Sequence, residues 1–444
     1  MGADKTLATP PKASTLSFKI FLLCAFVVLG RPQDLLPVLQ PFRLALVLTL
    51  LSLVAMVFGA RRNELSAALT TTEAKRYLLF FAIMVFGIPF AHHRRFAYEG
   101  IVNDYLPNVL LFCVLVYQIT TFERLKSFVW IICLCTLMYS VFGGLLQVQS
   151  IGGERVRLVG QMFDPNDTAF LLVSLFPLTL YFLRSTERLW KRIVATVAFL
   201  SAIAMILLTS SRGGVLGLGA ILLVLLFMQT AGIGRAYKVL IALALVSTWF
   251  LVEDKVDVDR YKTLTDVSKD YNLTSEGGRV ALWKEAIYLT VTNPLTGVGV
   301  NCFASASYYA RLAAGGTYQT WHAAHNSFLQ VSADVGLIGF TVFLLMIIRS
   351  LRTFAEISKL PQRGEAPETR DQRALGALLV LGFTGLLVTG FFLSQGFSVL
   401  FTIYFGLAAA MARIRSASHT AGEPLNIPAA AQGRHARPSR MAAR

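Results

Sequence analysis

Apolar residues run along this chain in twelve stretches of helical length, at approximately 18–31, 42–60, 77–91, 105–119, 127–146, 168–183, 193–209, 213–230, 238–252, 328–348, 374–394 and 397–412. A helix needs about 20 such residues to cross a bilayer, so the pattern predicts an all-α, polytopic membrane protein of about twelve helices. Several stretches fall short of that length, so their polar ends must reach into the interface or the helices tilt less. The first stretch has the look of a secretory leader, with Lys12 and Lys19 ahead of the apolar run. Arg31-Pro32-Gln33-Asp34 stands where a small-residue cleavage site belongs, so the stretch is read as a crossing.

The connections divide the chain further. Residues 1–17 form an N-terminal tail, 18–194 a first bundle, 349–373 a connecting loop, 374–412 the last two helices and 413–444 a basic tail containing Pro424, Pro428 and Pro438. Residues 253–327 form a loop of 75 residues and 147–167 one of 21. Loops of that length between packed helices are usually functional.

Composition sharpens the class. The chain of 444 residues is 55% hydrophobic and only 15% charged, with a formal net charge of +16. Soluble domains carry roughly 25% charged residues, which excludes a basic nucleic-acid-binding surface as the source of the charge. With both termini cytoplasmic, the inner segments hold 27 Lys and Arg against 14 outside, and 10 Asp and Glu against 15. That bias is the positive-inside signature, and it puts the 253–327 loop on the outer face. Cys24, Cys113, Cys133 and Cys135 lie in apolar runs and only Cys302 in the long loop, so no disulfide framework is expected.

Three outer-face motifs carry chemistry. Ser210-Ser211-Arg212-Gly213-Gly214 places a guanidinium and two glycines at the start of the eighth apolar run. Backbone N–H groups, the helix dipole and the cation suit a phosphate; a snorkelling arginine on a tight turn is the competing reading. Glu276-Gly277-Gly278-Arg279 opens an amphipathic helix on which Val280, Trp283, Ile287 and Val291 share a face, as an interfacial helix would. His325-Asn326 precedes the tenth run. At about 100° per residue, Ser332, Gly336 and Gly339 fall on the histidine's side of a continuous helix, a small-residue stripe for a neighbouring helix or a lipid chain. His92-His93 and the pair His322 and His325 lack acidic or cysteine ligands at zinc spacing, and no metal site is expected.

Together the three motifs resemble the O-antigen ligase and polymerase superfamily. The resemblance rests on Arg212 after the seventh run, the Gly-Arg-aromatic helix, and His325-Asn326 followed after nine residues by Gly336-Leu337-Ile338-Gly339. It covers about residues 195–345, within the expected 195–348 region, and Asp164-Pro165-Asn166 is similar to a turn found in many members. It implies a metal-independent glycosyltransferase of the bacterial inner membrane, without cofactor, working at the periplasmic face among membrane lipids. The donor would be a glycan on undecaprenyl diphosphate and the acceptor a hydroxyl of lipid A core, another glycan or a glycolipid. A polymerase of O-antigen or exopolysaccharide repeats is the close alternative. Arg212 and Arg279 would grip the diphosphate, and His325 would orient or deprotonate the acceptor hydroxyl. Ser211, Gly213, Gly214, Asn326, Trp283 and Asn166 would line the substrate. A secondary transporter shares the layout but normally carries midplane ionisable groups or broken helices; Asp334 is the clearest buried acid within a run.

Overall fold

The computed structural model describes residues 15–59, 62–142, 164–185, 188–227, 235–258, 261, 278–315, 321–360 and 367–420. Residues 147–163 of the expected 147–167 loop, residues 259–260, 262–277 (with Glu276 and Gly277) and 316–320 of the expected 253–327 loop, and residues 421–444 of the expected tail lie outside these described residues. Every regular element among the described residues is helical. In chain order the main ones are α1 (Thr15–Gly30), α2 (Leu44–Gly59), α3 (Thr72–Gly87), α4 (Leu106–Gln118), α5 (Phe122–Leu137), α6 (Pro165–Ser185) and α7 (Leu189–Leu208). There follow α8 (Arg212–Phe227), α9 (Arg235–Val252), α10 (Arg279–Thr292), α11 (Phe303–Ala313), α12 (Ser327–Ser358), α13 (Pro367–Gly390) and α14 (Val399–Thr420).

Each of the twelve apolar stretches falls on a helix. Among the described residues eight helical segments, those containing α2, α4 to α7 and α12 to α14, are long and apolar enough to cross a membrane. Helices α1 and α8 and the Ile241–Val252 part of α9 are apolar but shorter. Helix α8, at 16 residues, reaches only about 24 Å at 1.5 Å per residue. Helix α3 carries Glu73, Lys75 and Arg76 near its start. The chain is thus a multi-pass membrane protein. Leu46, Val47, Leu50, Leu51, Val54, Val57 and Phe58 of α2 are all exposed, an apolar face that water would penalise and lipid does not.

Helix α6 is the axis of the bundle. It is 83% buried over its apolar window, against 17% for the segment containing α2, and it packs on α13, α7 and α5. Small residues let α8 and α13 close on it. A Cβ at Gly217 would come within 2.6 Å of Thr389 and 2.9 Å of Val173, and one at Gly385 within 2.7 Å of Val173. Tyr404 Oη donates to the Ser174 carbonyl at 2.6 Å, fixing α14 against α6.

Helix α12 is broken, and the break organises the end of the molecule where the site lies. Gly336 has φ 69° and ψ −179°, a combination open essentially to glycine alone. The break turns the carbonyls of Ala333 and Asp334 outward, where they accept the N–H groups of Val298 at 2.8 Å and Gly299 at 2.9 Å, while Leu337 N–H donates to the Pro294 carbonyl at 2.7 Å. Asp334, 1% exposed, spends its carboxylate on the backbone N–H groups of Asn301 at 3.2 Å and Phe303 at 3.0 Å, at the start of α11. The stripe below His325 is therefore not the open groove expected from a continuous helix. Leu295 and Gly297 pack on Gly336, Ile83 covers Gly339, and Thr290 bonds Ser332. Asp334 serves as a helix cap, and the break is closed by backbone hydrogen bonds.

A methyl group at Gly336 would stand 2.8 Å from Gly297 N and from the Leu295 carbonyl. Gly336→Ala is expected to cost about 2–3 kcal/mol or more. It should lower the thermal midpoint in detergent, read by fluorescence-detected size exclusion. Gly219→Ala in α8, with nothing within 4 Å of its Cβ, should leave the midpoint level or raise it. Equal midpoints for wild type and Gly336→Ala would contradict the interlock.

Candidate active site

Helix termini build the site. Between α7 and α8 the chain reverses through Ser210, at φ 47°. Thr209 Oγ1 donates to the Ile206 carbonyl at 2.6 Å and accepts Ser211 N–H at 3.3 Å. Ser211 Oγ accepts Gly214 N–H at 3.2 Å and donates to Asn166 Oδ1 at 2.8 Å. Asn166 in turn donates from its backbone and side-chain nitrogens to Asp164 Oδ1, each at 2.7 Å. These bonds join the starts of α6 and α8 and leave Arg212 as the first residue of α8, 8% exposed. A Cβ at Gly214 would come within 2.8 Å of Ala169, so this glycine permits close packing and its N–H is committed to Ser211.

Helix α10 brings the second cation. Leu282, Ala286 and Leu289 are buried as the helix packs on α12. Thr290 and Ser332 share a hydroxyl hydrogen bond at 3.0 Å, and Glu285 pairs with Arg311 at 3.3 Å and accepts from the Ser307 hydroxyl. Ile287 and Val291 are exposed and Val280 and Trp283 half-buried, in keeping with an apolar face turned to a membrane surface. Trp283 rests edge-on against Phe391, ring centroids 5.4 Å apart. Arg279 is the first residue of α10, after Gly278, which has no side chain to cap the helix.

His325 does not lie on the face of α12 predicted for it. It precedes the helix at φ 48°, held by its N–H to Ser394 Oγ at 2.8 Å. Asn326 is the N-cap, its Oδ1 accepting Phe328 N–H at 2.9 Å and Leu329 N–H at 3.0 Å, so it shapes the helix start rather than a substrate wall. The His325 imidazole is held below its ordinary pKa, first by burial, then by the cation of Arg279 and by His322; Asp164 pulls the other way. That direction favours the uncharged ring, the form able to accept a proton.

A small cleft opens among these termini. Asn166, Ser211, Arg212, Gly213, Gly214 and Arg279 line it, joined by Thr389, Phe392 and Leu393. Six of the nine predicted site residues thus meet in one place. His325 adjoins it through Arg279 and the 391–396 turn; Trp283 and Asn326 are not among its walls. No sequence motif marks that turn. Ser394 fixes His325, Gln395 Nε2 donates to Asp167 Oδ1 at 3.0 Å, and Gln395 N–H donates to Ser327 Oγ at 3.0 Å. Its one signal was the polar pair Ser394-Gln395 between two apolar runs.

The electrostatics of the cleft are unusual. Arginine stands at the first position of both α8 and α10, at the positive end of each helix dipole, where a cation is unfavourable by roughly 0.3–1 kcal/mol. An anion in the cleft removes that repulsion and gains both guanidiniums. No group of three or more His, Cys, Asp or Glu with metal-binding placement occurs among the described residues, and His93 Nδ1 accepts Phe96 N–H at 3.3 Å.

Residues 196–344 match the family model of the O-antigen ligase, so this third of the chain is similar to that family. Arg212, Arg279, His325, Gly336 and Gly339 all lie within the matched span. No curated protein matches the chain.

The charge contacts around His325 have signs that a histidine titration followed by NMR can check. Replacing Arg279 with Gln removes a cation and should move the His325 midpoint up; Asp164→Asn removes an anion and should move it down. Shifts of the opposite sign would contradict this placement.

Proposed function

We propose that this protein transfers a glycan from undecaprenyl diphosphate to an acceptor hydroxyl, in the manner of an O-antigen ligase, at the periplasmic face of the bacterial inner membrane. The observation that carries the reading is the meeting of Arg212 and Arg279, each at a helix start, in one cleft, with His325 held next to it by Ser394 of the adjoining turn. A diphosphate fits two cations and the first-turn N–H groups of two helices.

In the transfer, an acceptor oxygen attacks the anomeric carbon of the lipid-linked sugar. A new C–O bond forms as the bond from that carbon to the phosphate oxygen breaks, and the electron pair leaves on the diphosphate. His325 takes the hydroxyl proton as the oxygen becomes nucleophilic. Arg212 and Arg279 bear the charge that grows on the leaving diphosphate, which is the largest change the site must stabilise. A single displacement inverts the anomeric configuration. Ser211 and Asn166 hold the rim of the cleft in shape through their mutual hydrogen bond.

The acceptor is proposed as a lipid A core sugar; polymerisation of lipid-linked repeats is the same chemistry with another acceptor. A transporter reading gains little from Asp334 or the break at Gly336, since both are consumed by backbone hydrogen bonds of residues 294–303. Both termini are placed in the cytoplasm on the positive-inside bias.

In proteoliposomes supplied with lipid-linked glycan and acceptor, Arg212→Ala and Arg279→Ala should each lower transfer about 100-fold or more. His325→Ala should lower it about 10²–10⁴-fold, with membrane levels unchanged in all three. In cells lacking the gene, loss of glycan from lipid A with intact lipid-linked polymer marks a ligase, and single repeats in place of long chains mark a polymerase. Wild-type transfer by the triple variant would defeat the proposal.

A further inference from the structure

The transfer step leaves a second chemical surface unused. His93 stacks on Phe96 with centroids 3.9 Å apart, Phe96 meets Trp321 edge-on at 5.8 Å, and Trp321 lies 6.2 Å from Tyr308. Tyr308 meets Tyr309 at 5.4 Å, and Tyr309 meets His92 at 5.4 Å. Six rings from three separate segments thus form one continuous surface. Trp321 is 51% and Tyr309 53% exposed, and both imidazoles are exposed.

We propose that this surface is a sugar-binding platform that holds the pyranose rings of the acceptor glycan beside His325. The proposal rests on the transfer reading above and names the second substrate's subsite. Three features favour a sugar. The first is chemical: the C–H face of a pyranose meets the negative face of an aromatic ring, while its hydroxyls need polar partners at the edge. The two imidazoles and the neighbouring Arg94, Arg95 and Glu99 supply them; Arg95 and Glu99 form an exposed ion pair at 2.7 Å. Aromatic anchors in a membrane interface form a belt around the protein, whereas these rings are gathered into one patch with a charged rim.

The second feature is rigidity. His92 N–H donates to the Val298 carbonyl at 2.8 Å, Cys302 Sγ donates to the His93 carbonyl at 3.4 Å, and Asp334 caps the helix that carries Tyr308 and Tyr309. These bonds hold the His92, His93, Tyr308 and Tyr309 parts of the platform in place before ligand arrives, which lowers the entropy lost on binding. The third feature is position. Trp321 stands four residues before His325 in the same connecting segment, and the charge of His322 is felt at His325. With the diphosphate on the Arg212 and Arg279 side, an acceptor laid along the rings would bring a hydroxyl to the histidine from another direction.

The test uses the full chain in lipid nanodiscs, with two soluble probes: deacylated lipopolysaccharide core oligosaccharide and an oligosaccharide of the O-antigen repeat unit. Tryptophan fluorescence is titrated with each, and transfer kinetics are measured with each as acceptor. The expected result is quenching by at least one probe that disappears in Trp321→Phe. Trp321→Ala and Tyr309→Ala should each raise the acceptor KM about tenfold while leaving the donor KM unchanged. Trp321→Phe, which keeps a ring, should retain most of the affinity. Quenching by the core probe identifies a core acceptor and by the repeat probe a polymerising one. An unchanged acceptor KM in well-inserted Trp321→Ala and Tyr309→Ala proteins overturns the platform and leaves the transfer reading standing. Effects confined to insertion or yield mark a membrane anchor and also overturn it. Specific quenching without transfer by wild type supports the platform and counts against the transfer step alone.

Discussion

The hydrogen bonds released where α12 breaks at Gly336, and taken up by residues 294–303, hold the working end of this molecule together. A helix interrupted inside a bundle leaves carbonyls without partners, which is costly in a membrane protein. Here the carbonyls of Ala333 and Asp334 are satisfied by Val298 and Gly299, and the Asp334 carboxylate satisfies the start of α11. The same interlock brings the end of α10 onto α12, sets the start of α11, and pins the 91–93 segment through Val298. Arg279, the aromatic surface and the approach to His325 all hang on it.

Charge is used in opposite ways at the two ends of the helices. Away from the cleft, arginines meet helix C-termini, where a cation is favoured: Arg124 and Arg413 donate to the Gln118 and Ile119 carbonyls at the end of α4, and Arg373 to Leu360 after α12. Arg349 with Glu73, and Arg415 with Glu356, add ion pairs at 3.0 Å. At the cleft, Arg212 and Arg279 occupy helix N-termini, where a cation is disfavoured. Positive charge therefore stabilises the fold at one end, and under the proposed function it receives an anion at the other. The net charge of +16 mixes both uses, and only their placement separates them.

Hydrophobic runs made the helices legible in the sequence because each crossing must be apolar along its length, and all twelve runs became helices. Their number as membrane crossings was less legible, since α1, α3 and α8 are short and only the Ile241–Val252 part of α9 is apolar throughout. Arg212, Arg279, Ser211 and Asn166 were legible because cations and small polar residues beside apolar runs are conspicuous, and the fold gathers them. His325 was placed on a helical face because periodicity assumes an unbroken helix; φ values of 48° at His325 and 69° at Gly336 defeat that assumption. Gly336 and Gly339 read as a small-residue stripe, and only the packing of Leu295 and Gly297 against Gly336 reveals a backbone junction. Ser394 and Gln395 carry no motif, and their role depends on the meeting of α6, α12 and α13.

The central claim is that Arg212 and Arg279 receive one lipid diphosphate together. A cryo-EM structure of the protein in nanodiscs loaded with undecaprenyl diphosphate tests it directly. The account predicts both phosphates in the cleft between α8 and α10, with oxygens about 3 Å from each guanidinium. Phosphate density elsewhere, with the two arginines turned only toward protein groups, would contradict it.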